Sequence, residues 1–139
     1  MTVRFCNSFA LELLTATHAF GTDTFKVALY DSNASFSEAT TAYTATNEVS
    51  SGSGYTTGGA TLALSSGYPQ FITSADVRFD NPSWIFSAAK TVKWALVYNS
   101  SKSNKSVLSL DMGSRSVSGP FEIQFPLSLS ALIALRLSA

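Results

Sequence analysis

The sequence TVKWALVYN at 91–99, SSKSNKS at 100–106 and VLSLDM at 107–112 consists of two apolar alternating runs on either side of a polar break. In the first run Val92, Trp94, Leu96 and Tyr98 share one parity, while Thr91, Lys93, Ala95 and Val97 share the other. That is the period of two of a half-buried strand, with Trp94 and Tyr98 expected to anchor its buried side. The break holds Asn104 and four serines, whose side chains bond to nearby backbone and favour turns, so the two runs are expected to form an antiparallel hairpin.

Similar alternation recurs outward from this hairpin. FKVALY at 25–30 reads as a strand, followed by shorter ones at Leu62–Leu64, Val77–Phe79 and Phe121–Phe125, and a last one at Ile133–Leu137. Asn81-Pro82 ends the second of these short strands, because proline cannot donate to a ladder and pushes the residue before it into an extended conformation. Met112–Gly119, rich in Ser and Gly, reads as a turn. Near the N-terminus Asn7 or Ser8 is expected to cap a short helix reaching about Thr17, with Phe9, Leu13 and Leu14 on one side and Glu12 on the other. Asp31–Gly59 is a long excursion of Ser, Thr, Ala, Asn and Gly, with a possible short strand at Ala45–Val49 and a glycine-rich turn at 50–59.

The expected fold is therefore all-β, an antiparallel β-sandwich or jelly-roll-like barrel with one short N-terminal helix. It forms a single β domain over 1–139, divided into an N-terminal arm and helix at 1–20 and the sandwich at 21–139. The expected core is Phe25, Val27, Leu29, Leu62, Leu64, Val77, Phe79, Trp94, Leu96, Leu108, Leu110, Phe121, Ile123 and Leu135.

Composition narrows the function. Charged residues make up 13% of the chain, about half the usual share, and Ser with Thr fill 37 of its 139 positions. Nine basic side chains balance nine acidic ones, which argues against nucleic acid as a partner because phosphate binding relies on excess Lys and Arg. A surface with little charge repulsion suits a subunit of an assembly. No secretory pattern opens the chain, since Arg4, Asn7, Ser8 and Glu12 interrupt the apolar run that a leader needs. The apolar tail Leu127–Leu137 is well short of the roughly 20 residues that cross a bilayer, so no membrane partner is expected.

Catalytic and metal chemistry find little support. Cys6 is the only cysteine and His18 the only histidine. Cys6 reads as a small buried hydrophobe, and His18 as a helix-end side chain bonding a free carbonyl. Asp76 and Asp80 lie four apart on a strand, hence about 13 Å from each other, too far for the paired carboxylates of a glycosidase. The glycines at 52, 54, 58 and 59 do not match a phosphate-cradling loop. No catalytic, cofactor-binding or metal-binding residue is expected, and no cofactor.

Several segments, in order, resemble a known family. They are THAFGTDTFKVALYDSNAS at 17–35, TTAYTATNEVSSGSGYTTGGATL at 40–62 and VRFDNPSWIFSAAKTVKWALVYNSSKSNKSVLSLDMG at 77–113. Within them lie the TDTFKVALY strand, the loop from Glu48-Val49 through Gly54-Tyr55 to Gly58-Gly59, the stretch Asp80–Trp84, and ALVYNSSK ahead of LSLDMG. This pattern resembles small virion structural proteins of tailed bacteriophages, more loosely through FEIQFP and the last strand. Ser65–Ser74, with Gly67-Tyr68-Pro69, departs from the family pattern.

The resemblance implies a non-enzymatic virion component, made in the host cytoplasm. A capsid decoration or cement protein comes first, with major capsid protein or other virion subunits as partners and homo-oligomers within the particle. Tail or head–tail joining components come next. A different class is a carbohydrate-binding fibre module, in which Tyr43, Tyr55 and Tyr68 would stack on sugars. Expected partner contacts are Arg4, Phe5 and Phe9 in the arm and Tyr43 and Tyr55 in the excursion, because aromatic and Arg anchors dominate protein–protein contacts. The alternative for Phe5 and Phe9 is that they cover the open end of their own barrel.

Overall fold

A computed structural model describes residues 1–68, 70–71 and 75–125. Among the described residues the fold is all-β with one short helix, as the alternation predicts. Strands β1 (Thr2–Phe5), β2 (Phe25–Tyr30), β3 (Ala60–Leu62), β6 (Ser83–Asn99) and β7 (Lys105–Glu122) form one antiparallel sheet in the order β1-β7-β6-β2-β3. Helix α1 (Asn7–Leu14) follows β1, and β4 (Gln70–Phe71) pairs with β5 (Ala75–Asp76) in a separate two-stranded ladder. The expected last strand at Ile133–Leu137, including Leu135, lies outside the described residues.

The hairpin of β6 and β7 is the spine. Lys105 N–H donates to Lys102 O at 3.1 Å across Ser103 and Asn104, both at positive φ (51° and 57°), the backbone of a type I′ turn whose twist matches that of the strands. β2 pairs with residues 94–99 of β6, and β1 with residues 108–111 of β7. The hairpin beyond these pairings continues as a ribbon of its own. Met112–Gly119, expected as a turn, is part of β7. Gly113 and Gly119 take positive φ (71° and 70°), so they bend the strand without reversing it.

Over β2 and residues 94–99 of β6 both faces of the sheet are buried, whereas the distal ribbon is largely exposed. The main core joins Phe25, Val27 and Leu29 to Ala95, Val97, Leu108 and Leu110, under α1 and the chain at 77–79. On the other face Ala28, Tyr30, Trp94, Leu96 and Tyr98 lie under Ala34 and Phe36 of the excursion. The expected grouping of Val92 with Trp94, Leu96 and Tyr98 is corrected here. Register shifts between Val92 and Trp94, where β6 advances two residues (Val92↔Arg115 to Trp94↔Asp111) against four on β7, and this irregularity places Val92 in the main core with Ala95 and Val97. Leu64 is only half-buried and bridges to Phe79, and the possible strand at Ala45–Val49 reduces to one bridge between Tyr30 and Glu48.

The helix is shorter than expected, and its phase differs. Cys6 is its N-cap, without a side-chain cap bond, and neither Asn7 nor Ser8 takes that role. Phe9 and Glu12 face inward, whereas Leu11 and Leu14 are 63% and 70% exposed, the reverse of the expected placement of Glu12 and Leu14. Thr17 N–H reaches Glu12 O at 2.8 Å and Ala16 N–H reaches Leu13 O at 3.2 Å, with Ala16 at φ 56°. That is a Schellman termination carried by alanine where glycine is usual.

Candidate functional site

Two polar clusters tie the non-sheet segments to the hairpin. The first lies under α1. Glu12 Oε1 accepts from Lys105 Nζ (2.6 Å) and Glu12 Oε2 from His18 Nε2 (2.7 Å). Asn99 Nδ2 donates to His18 Nδ1 (3.0 Å) and to Asp23 Oδ2 (2.8 Å), while Asn99 Oδ1 accepts from Ser101 N–H (3.0 Å). This network assigns the tautomer. Because Asn99 Oδ1 is committed to Ser101, its amide NH₂ faces the imidazole, so Nδ1 is the acceptor and Nε2 carries the proton.

Burial pushes the Glu12 carboxyl up, but the bonds from Lys105 and His18 outweigh it and hold the group below its ordinary 4.5. Asp23 is likewise raised by burial and brought below 3.8 by the Ala19 amide, Asn99 and Lys102. His18, expected to bond a helix-end carbonyl, instead bonds Glu12 and Asn99 with its ring wholly enclosed. Cys6 beside this cluster is raised by burial, the state of an unreactive thiol.

The second cluster lies under the excursion and centres on Glu48. Its Oε1 accepts from Tyr55 OH (2.6 Å) and Gly58 N–H (2.7 Å), and its Oε2 from Tyr43 OH (2.7 Å). Tyr55 OH also accepts from Leu29 N–H (2.9 Å), Tyr98 OH donates to Gly58 O (2.8 Å) and Tyr30 OH donates to Thr44 O (2.8 Å). Tyr43 stacks on Tyr98 with ring centroids 4.6 Å apart. Burial raises all four phenols, with Glu48 adding to the effect. Tyr98 is pushed up to about 12, and Tyr30, Tyr43 and Tyr55 lie higher still.

Glycine explains how the loop comes so close. A Cβ on Gly59 would meet Val27 O at 1.9 Å, and one on Gly54 would meet Ile85 O at 2.0 Å. The glycine-rich run therefore packs against the sheet at two points.

These contacts sort the five expected partner residues. Phe9 and Tyr55 are each 2% exposed and are corrected to core residues, Phe9 among the rings of Phe5, His18 and Phe20 and Tyr55 on Glu48 and Leu29. Tyr43 is half-buried, with its hydroxyl and one ring face engaged internally. Arg4 and Phe5 remain half-exposed on β1, Arg4 with Nε 3.9 Å from Glu38. Tyr68 has Arg78 over its ring, 4.9 Å from the centroid. Sequence reasoning missed Glu12, Glu48 and Asn99, since Glu12 and Asn99 reach Lys105 and His18 only across the fold, and Glu48 meets Tyr43, Tyr55 and Gly58 only once the excursion closes around it.

Among the described residues no group of three or more His, Cys, Asp or Glu is placed to hold a metal ion, and no helix is long and apolar enough to cross a membrane. Comparison with protein-family models, curated proteins and solved structures yields no match to this chain.

Proposed function

We propose that the chain is a structural component of a tailed-bacteriophage virion, first of all a capsid decoration or cement protein that holds major capsid subunits together by protein–protein contacts. The reading rests on the ordered resemblance at 17–35, 40–62 and 77–113. One structural observation supports it: both polar clusters lie wholly within these segments and Glu12, and all their hydrogen bonds serve to fasten the chain to itself. Such internal locking suits a rigid building unit. The sugar-binding alternative loses Tyr55, whose ring is enclosed, and keeps part of Tyr43 and of Tyr68, the latter with Arg78 over its ring. Tail and head–tail positions stay within the proposed class.

Mass spectrometry of purified particles tests the proposal. A virion component is present in the particles at a fixed stoichiometry and stays after high-salt washing. Its absence from particles that are otherwise complete contradicts the reading.

A further inference from the structure

Both ring nitrogens of His18 are engaged inside the fold. Nε2–H donates to Glu12 Oε2 at 2.7 Å and Nδ1 accepts from Asn99 Nδ2 at 3.0 Å, and the enclosed ring lies beside those of Phe9 and Phe25, with centroids 5.0 and 6.2 Å away. The cluster therefore fits a neutral imidazole. An imidazolium would point a second N–H at the Asn99 NH₂, donor against donor.

Asn99 cannot adjust without loss. Its Oδ1 accepts from Ser101 N–H at 3.0 Å, and its Nδ2 also donates to Asp23 Oδ2 at 2.8 Å, an oxygen already fixed by Ala19 N–H at 2.9 Å. Rotating the amide by half a turn offers Oδ1 to the imidazolium, but it sets that oxygen against Asp23 Oδ2 and the NH₂ against Ser101 N–H. One contact is gained and two are lost. Both belong to the seam between the hairpin turn at 100–104 and the connection at 17–24, where Thr24 N–H also reaches Ser101 Oγ at 2.8 Å and Ser100 N–H reaches Thr24 O at 2.9 Å.

The charged groups around the ring, among the described residues, come from four elements. Glu12 is on α1 and Asp23 on the connection, Lys105 of β7 bonds Glu12 Oε1 at 2.6 Å, and Lys102 of the turn lies 3.8 Å from Asp23 Oδ1. Cys6 at the helix N-cap keeps a neutral thiol, and β2 contributes only the Phe25 ring. An imidazolium would thus have one carboxylate in contact and a second one hydrogen bond away, with Asn99 as the obstacle. We propose that His18 and Asn99 form a proton-operated latch, in which proton uptake at His18 Nδ1 turns the Asn99 amide over and unfastens the turn at 100–104 from the connection at 17–24 while the sheet stays intact. The latch does not depend on the virion reading.

The test is an NMR titration of the full chain between about pH 8 and 5, the range in which imidazoles titrate, following the His18 ring nitrogens, the Asn99 NH₂ and the Ser101 amide, with the Leu29 amide as reference. Glu12 and Asp23, held below their ordinary 4.5 and 3.8, stay ionised throughout. The ring should begin as the Nε2–H tautomer and gain a proton at Nδ1, and the Asn99 and Ser101 signals should move with the same midpoint while Leu29 stays still. Asn99→Asp keeps an oxygen on Ser101 N–H and gives Nδ1–H an acceptor. In that variant His18 should take its proton at higher pH than in the wild type, with the Ser101 amide unmoved. If Asn99→Asp does not fold, the scalar coupling across the Ser101 N–H to Asn99 Oδ1 bond decides in the wild type, since it should disappear with the midpoint of the ring.

A ring that stays neutral until the chain unfolds overturns the latch. So does a protonated ring with Ser101 still bonded to Asn99, or a Ser101 signal that moves alike in the wild type and in Asn99→Asp, because the ring's charge would then act through space without turning the amide.

Discussion

The cluster under α1 and the cluster under the excursion solve one problem in two ways. Each gathers a segment around a single carboxylate, and the link to the hairpin runs directly through Lys105 in the first and through Tyr98, on Gly58 O and against the Tyr43 ring, in the second. Glu12 does so with cationic and imidazole donors, Lys105 and His18, and Glu48 with two phenols and an amide. An eight-residue helix offers little area, so a half-exposed ion pair supplements Phe9. The excursion has few apolar residues, and tyrosines let it bury ring surface while every hydroxyl finds a partner. The two attachments should therefore fail under opposite conditions.

The largest effects should come from the backbone approach beneath the second cluster. Gly59→Ala forces a Cβ into the Val27 carbonyl at positive φ and should cost roughly 3–5 kcal/mol in chemical denaturation. Gly52→Ala has open space around it and should cost only the backbone term, about 1–2 kcal/mol. Equal losses would mean that Gly59 does not approach the sheet as described.

Next come the carboxylates. Glu48→Gln leaves one of three donors facing an amide NH₂ and should cost about 2–3 kcal/mol, whereas Glu12→Gln, opposite a lysine that is 40% exposed, should cost about 1 kcal/mol. A larger loss at Glu12 would reverse the ranking of the two clusters.

The pH profile sharpens the contrast. Glu12 and Asp23 have lowered folded pKa values, so their contribution is present above the ordinary carboxylate range and is lost as pH falls below about 4.5 and 3.8. The tyrosines have raised values, so theirs is complete below pH 10 and is lost as pH rises beyond it, through about 12 for Tyr98. Glu12→Gln should flatten only the acid limb of the stability curve and Tyr43→Phe only the alkaline limb. The smallest effect is a gain, since Ala16→Gly relieves the left-handed helix terminus and should add about 0.5 kcal/mol.

Local alternation made the hairpin, β2 and most of the core legible. Phe25, Val27, Leu29, Leu108 and Leu110 are buried where their period of two puts them. The shared face of Trp94, Leu96 and Tyr98 was legible too, but the place of Val92 was not, because a register shift near Lys93 leaves no mark on composition. Gly113 and Gly119 read as a turn because a bulge and a reversal use the same residues. The excursion read as an interaction arm because its anchors are polar: Glu48 looks like a surface acid until Tyr43, Tyr55 and Gly58 are folded around it. Of the expected contact residues on β1, Phe5 packs partly against the main core beside Phe9, while the Arg4 side chain on the opposite face keeps part of its exposure.

Amide exchange in the free protein tests most directly the claim that the excursion is fastened by its polar cluster. The amides of Leu29 and Gly58, which donate to Tyr55 and Glu48, should exchange only with near-global unfolding, and that of Gly113, on the exposed Asp111 carboxylate, orders of magnitude faster. Exchange at Gly58 as rapid as at Gly113 would contradict the account.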